Sequence, residues 1–275
     1  GNVATQSVDA TQLHALAQEL GKLTGATVGF LGEGANTVGA HLACPQPSGD
    51  NARQMFEQPR KAYVLMGVEP ELDCGNPQLV LGALKQASLV VYMSAFKHES
   101  ALAFADVMLP ISPYSETSGT FVNTEGRIQS FNGVTKPRGD ARPAWKLLRV
   151  LGNVLNLDGF SYTSSEEIRD ELLGKDDEFI VSVNNALSDI VIAVPVASTD
   201  GLQRIADVPI NYADPMARRA PALQQTADAV APTARLCELT LAQIGITDNA
   251  LLRVRQGSGE TVLVAKADNN VPAGC

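Results

Sequence analysis

Four short apolar runs constrain this chain more than any other feature: Ala26–Leu31 (ATVGFL), Lys61–Met66 (KAYVLM), Ser88–Met93 (SLVVYM) and Asp106–Leu109 (DVML). A strand that is apolar at nearly every position cannot turn one side to water. It has to sit in a sheet whose two faces are both covered. Helical patterns fall between the runs. Asn76–Gln86 (NPQLVLGALKQ) has Pro77 in its first turn, and residues 97–105 can form a short helix. Ahead of the first run, Leu13, Leu16, Leu20 and Leu23 make one stripe of a helix over 9–23, with Asp9 as cap and Gln12 at the capping-box position. Strands alternating with helices predict an α/β fold built on a doubly wound, mostly parallel sheet.

The rhythm changes further on. Trp145, Leu148, Leu151 and Leu155 recur at helical spacing after Pro143, and Ser164-Ser165-Glu166-Glu167 is a capping box for another short helix. Residues 206–232, rich in Ala, Pro and Asp, have the composition of a connection between domains. Leu251–Arg255 (LLRVR) and Thr261–Lys266 (TVLVAK) flank Gly257-Ser258-Gly259-Glu260, which predicts a β-hairpin. The expected organisation is an α/β domain over 1–205, a connecting segment over 206–232 and the start of a β-barrel-like domain over 233–275. Gly1 is not preceded by Met, and Cys275 ends a turn-like VPAGC with no closing element. Both ends have the look of cuts, so a longer parent chain is expected.

Charge and cysteine usage exclude several functions. With 21 basic and 30 acidic side chains the net charge is −9, which repels phosphate backbones, and no long Lys/Arg cluster overrides it. No nucleic-acid partner is expected. Cys44, Cys74, Cys237 and Cys275 form no CxxC or CxxxC pair, and His14, His41 and His98 are scattered, so no metal site is expected. Four isolated cysteines fit reduced thiols in a cytosolic compartment. The longest apolar run, Ile190–Ala197 (IVIAVPVA), has eight residues and contains Pro195, far short of a bilayer span. It has the character of a strand, and no membrane insertion is expected.

Two corners could hold a ligand. Gly32-Glu33-Gly34 follows an apolar run, but its spacing is not GxGxxG and Glu33 opposes a phosphate, so a tight turn is the better reading. Gly67-Val68-Glu69-Pro70-Glu71 lies at the C-terminal end of a parallel strand, where open α/β sheets bind ligands. Glu69, Glu71 and Asp73 make that end acidic, which disfavours a nucleotide phosphate. A free NAD-binding enzyme is disfavoured by the missing GxGxxG. Asp50, the acid nearest the expected distance, sits in a loop-like PSGDN.

No Ser/His/Asp, Cys/His or GKS/T constellation is present. Glu116 and Glu125 have no histidine nearby in sequence, so no catalytic residue is assigned. Ser115–Phe131 (SETSGTFVNTEGRIQSF) predicts a small hairpin, Thr120–Val122 against Arg127–Gln129, turned by Asn123–Gly126. An ion-pair network joining Glu116, Glu125 and Arg127 at its base is expected, so that removing Arg127 lowers stability.

Ala105-Asp-Val-Met-Leu-Pro110, then Glu116, Gly119-Thr120, Asn123 and Glu125-Gly126-Arg127, put about ten motif positions in order over 23 residues. This run resembles the molybdopterin oxidoreductase family. Asp140–Trp145 (DARPAW) extends the likeness, and Leu241–Gly274 is similar to the opening of that family's C-terminal β-barrel domain. Within the family the chain is most similar to the branch formed by the large iron–sulfur subunits of bacterial NADH–quinone oxidoreductase, respiratory complex I. The supporting text is SPYSETSGTFVNTEGRIQSF, VTKPRGDARPAWKLLRVLGNVLNL and DPMARRAPALQQTADA.

The resemblance implies iron–sulfur clusters upstream in the parent chain and a domain here without a molybdenum cofactor. It also implies neighbouring subunits of a peripheral arm as partners, on the cytoplasmic side of the bacterial inner membrane. Active relatives usually have Gly-x-Asn-Pro where this chain has Gly67-Val68-Glu69-Pro70. On this reading Gly67, Asp106, Glu116, Gly119, Thr120, Asn123, Glu125 and Arg127 form a vestigial or structural motif that holds no cofactor. The alternative implied by the same family is part of an active enzyme dependent on molybdopterin guanine dinucleotide.

Overall fold

The computed structural model describes residues 9–32, 34–44, 49–174, 183–184, 201–206, 208–257 and 259–275. The expected strand Ile190–Ala197, Glu33 of the glycine corner and Ser258 of the hairpin turn lie outside the described residues. The chain forms two compact units, Leu13–Val191 and Ile192–Cys275, the latter with Asn2–Gln12.

The first unit takes in α1 (Ala10–Thr24) from Leu13 onward, then α2 (Thr37–Ala43) and α3 (Ala52–Glu57). The Asn51 side chain caps α3 in a full capping box with Gln54. Then come β1 (Ala62–Met66), the short α4 (Pro70–Asp73), α5 (Pro77–Gln86), β2 (Leu89–Ser94), a 3₁₀ turn at Glu99–Ala103 and β3 (Val107–Pro110). The Asn76 side chain accepts from the Leu79 N–H, and Pro77 occupies the first turn of α5, as its pattern predicts.

The three strands form a parallel sheet in the order β1-β2-β3. One face is closed by the helices. Tyr63, Leu65, Val90 and Tyr92 pack with Phe56 of α3, Val80, Ala83 and Leu84 of α5, and Ala101 and Phe104. Each large side chain buried there contributes roughly 1.5–3 kcal/mol. The Phe56 and Tyr63 rings stack at 5.5 Å, while the Tyr63 hydroxyl donates to the Met55 carbonyl at 2.8 Å. The opposite face keeps Val64 51%, Met66 43%, Leu89 43% and Val107 41% exposed.

The first expected strand is not formed among the described residues: residues 26–31 carry no strand, and Leu31 is exposed. The Ala26 N–H instead returns to the Gly21 carbonyl at the end of α1. The leucine stripe of α1 is likewise only partly covered, with Leu20 and Leu23 exposed.

Beyond β3, the hairpin β4 (Gly119–Val122) and β5 (Ile128–Phe131) pairs antiparallel, Thr120 opposite Ser130 and Val122 opposite Ile128. It is followed by α6 (Ala144–Val154) and α7 (Ser165–Leu173), the latter capped by the Ser164 hydroxyl as its capping box predicts. The approach to α6 is tied to the end of β3 by a parallel bridge, Ile111 to Arg142, with the Ser112 N–H donating to the Arg142 carbonyl.

The second unit holds α8 (Pro215–Arg218), β6 (Thr233–Leu236), α9 (Glu238–Ile244), β7 (Leu251–Gln256) and β8 (Gly259–Ala267). The predicted β7–β8 hairpin is present, and β6 joins β8 in parallel, giving the order β6-β8-β7. Leu236, Leu241 and Ala265 form its small core. Among the described residues no closed barrel is found, and no helix is long and apolar enough to cross a membrane.

Gly152, inside α6, faces Phe160 so closely that a Cβ there would lie 2.3 Å from the ring's Cγ. Cγ is the root of the ring, so turning the ring about χ2 does not relieve the clash, and a change of χ1 would move Phe160 out of its place against the helix. Gly152→Ala is expected to cost about 1–3 kcal/mol, despite the better helix propensity of alanine. Urea denaturation of the two proteins side by side measures this, with a melting temperature lower by several degrees as the companion result.

Candidate functional site

Two places gather polar side chains in the first unit: the C-terminal edge of the parallel sheet, and the hairpin with the helices around it.

At the sheet edge, Gly67 follows β1 and its N–H donates to the Met93 carbonyl at 2.9 Å. Glu69 precedes α4 and is only 2% exposed. Its own N–H donates to Asp73 Oδ2 at 2.6 Å, so the acidic turn is folded back on itself. Glu71 Oε1 lies 3.5 Å from His98 Nδ1, which also meets the Ser100 hydroxyl at 2.7 Å. The neighbouring Cys74 thiol is pushed above its usual pKa, first by burial and then by the charges of Asp73 and Glu71. Partial burial and two acidic neighbours thus act on the thiol in the same direction. An acidic edge of this kind disfavours a nucleotide pyrophosphate. Each carboxylate about 8 Å from a phosphate charge opposes it by ~2 kcal/mol at an effective dielectric near 20.

Several residues of the hairpin region spend their polar groups on backbone or on each other. Asn123 Oδ1 accepts from the Glu125 N–H at 3.0 Å and the Arg127 N–H at 2.9 Å, which shapes the turn. Gly126 completes it with φ of 84°. Glu116 Oε2 accepts from the Arg138 N–H at 3.0 Å. The Thr120 and Ser130 hydroxyls bond across the strands at 3.0 Å. At Gly119 a Cβ would stand 2.6 Å from Cζ of Phe131, so the glycine makes room for the aromatic ring opposite.

These positions do not converge on one site. Gly67 is at the C-terminal edge of the sheet. Asp106 is at the other end, where its Oδ2 accepts from the Val90 N–H at 2.7 Å beside the start of β2. Glu125 and Arg127 are exposed, and among the described residues neither belongs to an ion pair. The expected network joining them to Glu116 is therefore absent. Arg127 is exposed, where water is the better partner for its guanidinium.

Gly119, Thr120 and Val122 line a cleft of about 260 Å³ with Asn36, Trp145, Ile168, Arg169 and Leu172. Its walls are mostly apolar. The Ser118 and Ser165 hydroxyls bond at 2.7 Å beside it, and Asp170 Oδ1 takes Arg169 Nε and Nη2 at 2.8 and 2.5 Å. Trp145, expected to anchor the core, is a wall of this cleft, with its Nε1 shielded from water and given no acceptor. Sequence reasoning missed Asn36, whose Oδ1 accepts from the Val122 N–H at 2.8 Å and ties the start of α2 to the hairpin. Nothing local in GANT signals a bond to a strand 86 positions away. The glycine corner before it is a plain turn, closed by the Thr37 hydroxyl donating to the Gly34 carbonyl at 2.9 Å.

With this geometry in place, comparison with known proteins decides the family. The model of the molybdopterin oxidoreductase family matches residues 1–154. The chain belongs to the molybdopterin oxidoreductase family. It is similar to a putative formate dehydrogenase of Staphylococcus haemolyticus, 34% identical over 134 residues, which is 47% of this chain and 13% of that protein. A putative formate dehydrogenase of Staphylococcus aureus is 37% identical over 108 residues, 39% of this chain and 11% of that protein. The match therefore spans only about an eighth of these relatives' length. Among solved structures, acetylene hydratase from Pelobacter acetylenicus superposes with a TM-score of 0.52 at 16% identity, covering 86% of this chain and 37% of that one. That likeness concerns the fold.

Two outcomes check the site as described. Asn123→Ala is expected to cost about 1 kcal/mol and to speed amide exchange at Glu125 and Arg127, whereas Arg127→Ala changes stability by less than ~0.5 kcal/mol. Exchange measured by NMR together with denaturant melts distinguishes them. Separately, Cys74 is expected to alkylate more slowly than the exposed Cys44 at neutral pH, because its thiol is shielded and its pKa raised. Glu71→Gln removes one negative neighbour and should raise the Cys74 rate, as peptide mass spectrometry after timed iodoacetamide treatment would show.

Proposed function

We propose that this chain is a non-catalytic, structural part of a molybdopterin-oxidoreductase-like domain that carries no molybdenum cofactor. We assign it to the large iron–sulfur subunit of an NADH–quinone oxidoreductase. The observation that carries the reading is the buried Glu69 with Glu71 and Asp73 at the sheet edge where a dinucleotide would have to lie. The hairpin supports it, since Asn123, Glu116 and Asp106 direct their side chains to backbone N–H groups. In this reading electrons pass through clusters held upstream in the parent chain, and the present residues stabilise a peripheral arm against neighbouring subunits on the cytoplasmic side of the membrane.

A second reading has a specific observation behind it. The curated relatives at 34% and 37% identity are named putative formate dehydrogenases. On that reading the chain is part of an active enzyme that takes a molybdopterin guanine dinucleotide.

Titration calorimetry with GMP separates the two. The structural reading expects no saturable heat up to millimolar nucleotide, and saturable, stoichiometric binding would favour the enzyme reading. Ferredoxin-type cysteine runs in the parent chain upstream of Gly1, with iron bound by the parent and no molybdenum, would complete the case for the first.

A further inference from the structure

The region from 136 to 149 (KPRGDARPAWKLLR) has five cations and one acid in a chain whose net charge is −9. They are too dispersed to stand out as a sequence cluster, yet the fold leaves them uncompensated. The ion pairs among the described residues lie elsewhere. Arg142 Nη1 donates to its neighbour's carbonyl at Ala141, and Arg149 Nη1 to the Tyr162 carbonyl at 2.8 Å. Arg149 Nε is shielded from water without an acceptor. The Lys146 ammonium has only the Trp145 ring, 5.2 Å away. A partly desolvated guanidinium with no carboxylate is a costly arrangement that an incoming anion relieves.

These cations border an apolar strip. Along α6, Lys146, Val150 and Val154 follow one another at helical spacing, and Leu157 continues the row just past its end. Val150 is 49%, Val154 71% and Leu157 51% exposed. The other side of the helix is already committed, with Gly152 against Phe160 and Trp145 in the cleft. From this combination we infer that the outer face of α6 is a docking surface for an acidic amphipathic helix of a neighbouring subunit. The inference rests on the subunit reading above. Such a helix lays Leu or Val side chains on Val150 and Val154 and sets Asp or Glu beside Lys146, Arg149 and Arg142. An anionic membrane is the poorer partner. The strip has no aromatic side chain to sit at headgroup depth, and the chain as a whole is repelled by negative lipid.

The test uses the parent protein in its native assembly, with a photo-reactive benzoylphenylalanine at Val150 or Val154 and mass spectrometry to locate the attached residues. Cross-links should fall on another subunit, in a helical segment with acids three or four positions apart. Lys146→Glu combined with Arg142→Glu should lower the yield about tenfold while leaving the circular dichroism melt unchanged, because both side chains are exposed. Cross-links confined to the same polypeptide or to a second copy overturn the inference. So do an acid-free target segment, a yield indifferent to the charge reversal, or binding of the protein to phosphatidylserine vesicles through this face. A parent protein that purifies with no companion subunit sinks the subunit reading itself, which keeps the two failures apart.

Discussion

The central strand β2 is the constraint on which the first unit depends. Val90 and Tyr92 have no exposed surface, so every backbone group along the strand has to find a partner within the protein. β1 supplies one edge in register from Ala62–Leu89 to Met66–Met93, and β3 supplies the other. Asp106 completes the second edge before β3 begins, since its carboxylate accepts from the Val90 N–H while its own N–H donates to the Val90 carbonyl. The aspartate of the family motif thus opens a strand pair. Its charge is used at the far end of the sheet from the loop where a ligand would sit.

The same economy governs the hairpin. A turn of five residues leaves several N–H groups without strand partners, and Asn123 collects two of them. Asn36 collects a third, at Val122, and by doing so attaches the hairpin to α2. Glu116 holds the chain at Arg138 as it returns toward α6. A stretch dense in carboxylates, amides and hydroxyls looks like a binding site because those groups can bind ligands. Here Glu116, Thr117 and Asn123 are engaged with backbone and Ser118, Thr120 and Ser130 with other hydroxyls, and beside them lies a mostly apolar cleft.

The readable parts of the fold are those whose cause is local. Apolar runs at 61–66, 88–93 and 106–109, the Pro77 start, the Ser164 box and the NTEG turn each act over a few residues, and each is present where the pattern puts it. The run at 26–31 has the same composition but carries no strand, an outcome set by neighbours and invisible in the run itself. The expected Arg127 pairing fails for a similar reason, because strand spacing brings groups near in sequence without deciding which way a turn projects. Asn36 and Val122 meet across 86 positions, beyond any motif-length window. The acidic edge was legible in Glu69, Glu71 and Asp73. What the fold adds is the burial of Glu69 and the shielded thiol of Cys74 that senses two of those charges.

Scaffold and chemistry separate at that edge. Identity of 34–37% to the formate dehydrogenase-like proteins is enough to fix a common ancestry and a common sheet over the matched residues. It says little about which ligand the strand ends accept, because that depends on a handful of loop positions. A loop can change the sign of its charge without disturbing the buried face of Tyr63, Val90 and Tyr92 behind it. In the structural reading, three acidic side chains within five residues would oppose a pyrophosphate placed at that edge. Such a penalty is easily carried by a domain whose work is mechanical, and hard to reconcile with one that must hold an anionic dinucleotide through each turnover. In the structural reading proposed above, the acidic turn at Glu69, Glu71 and Asp73 counts for more than the names of the relatives.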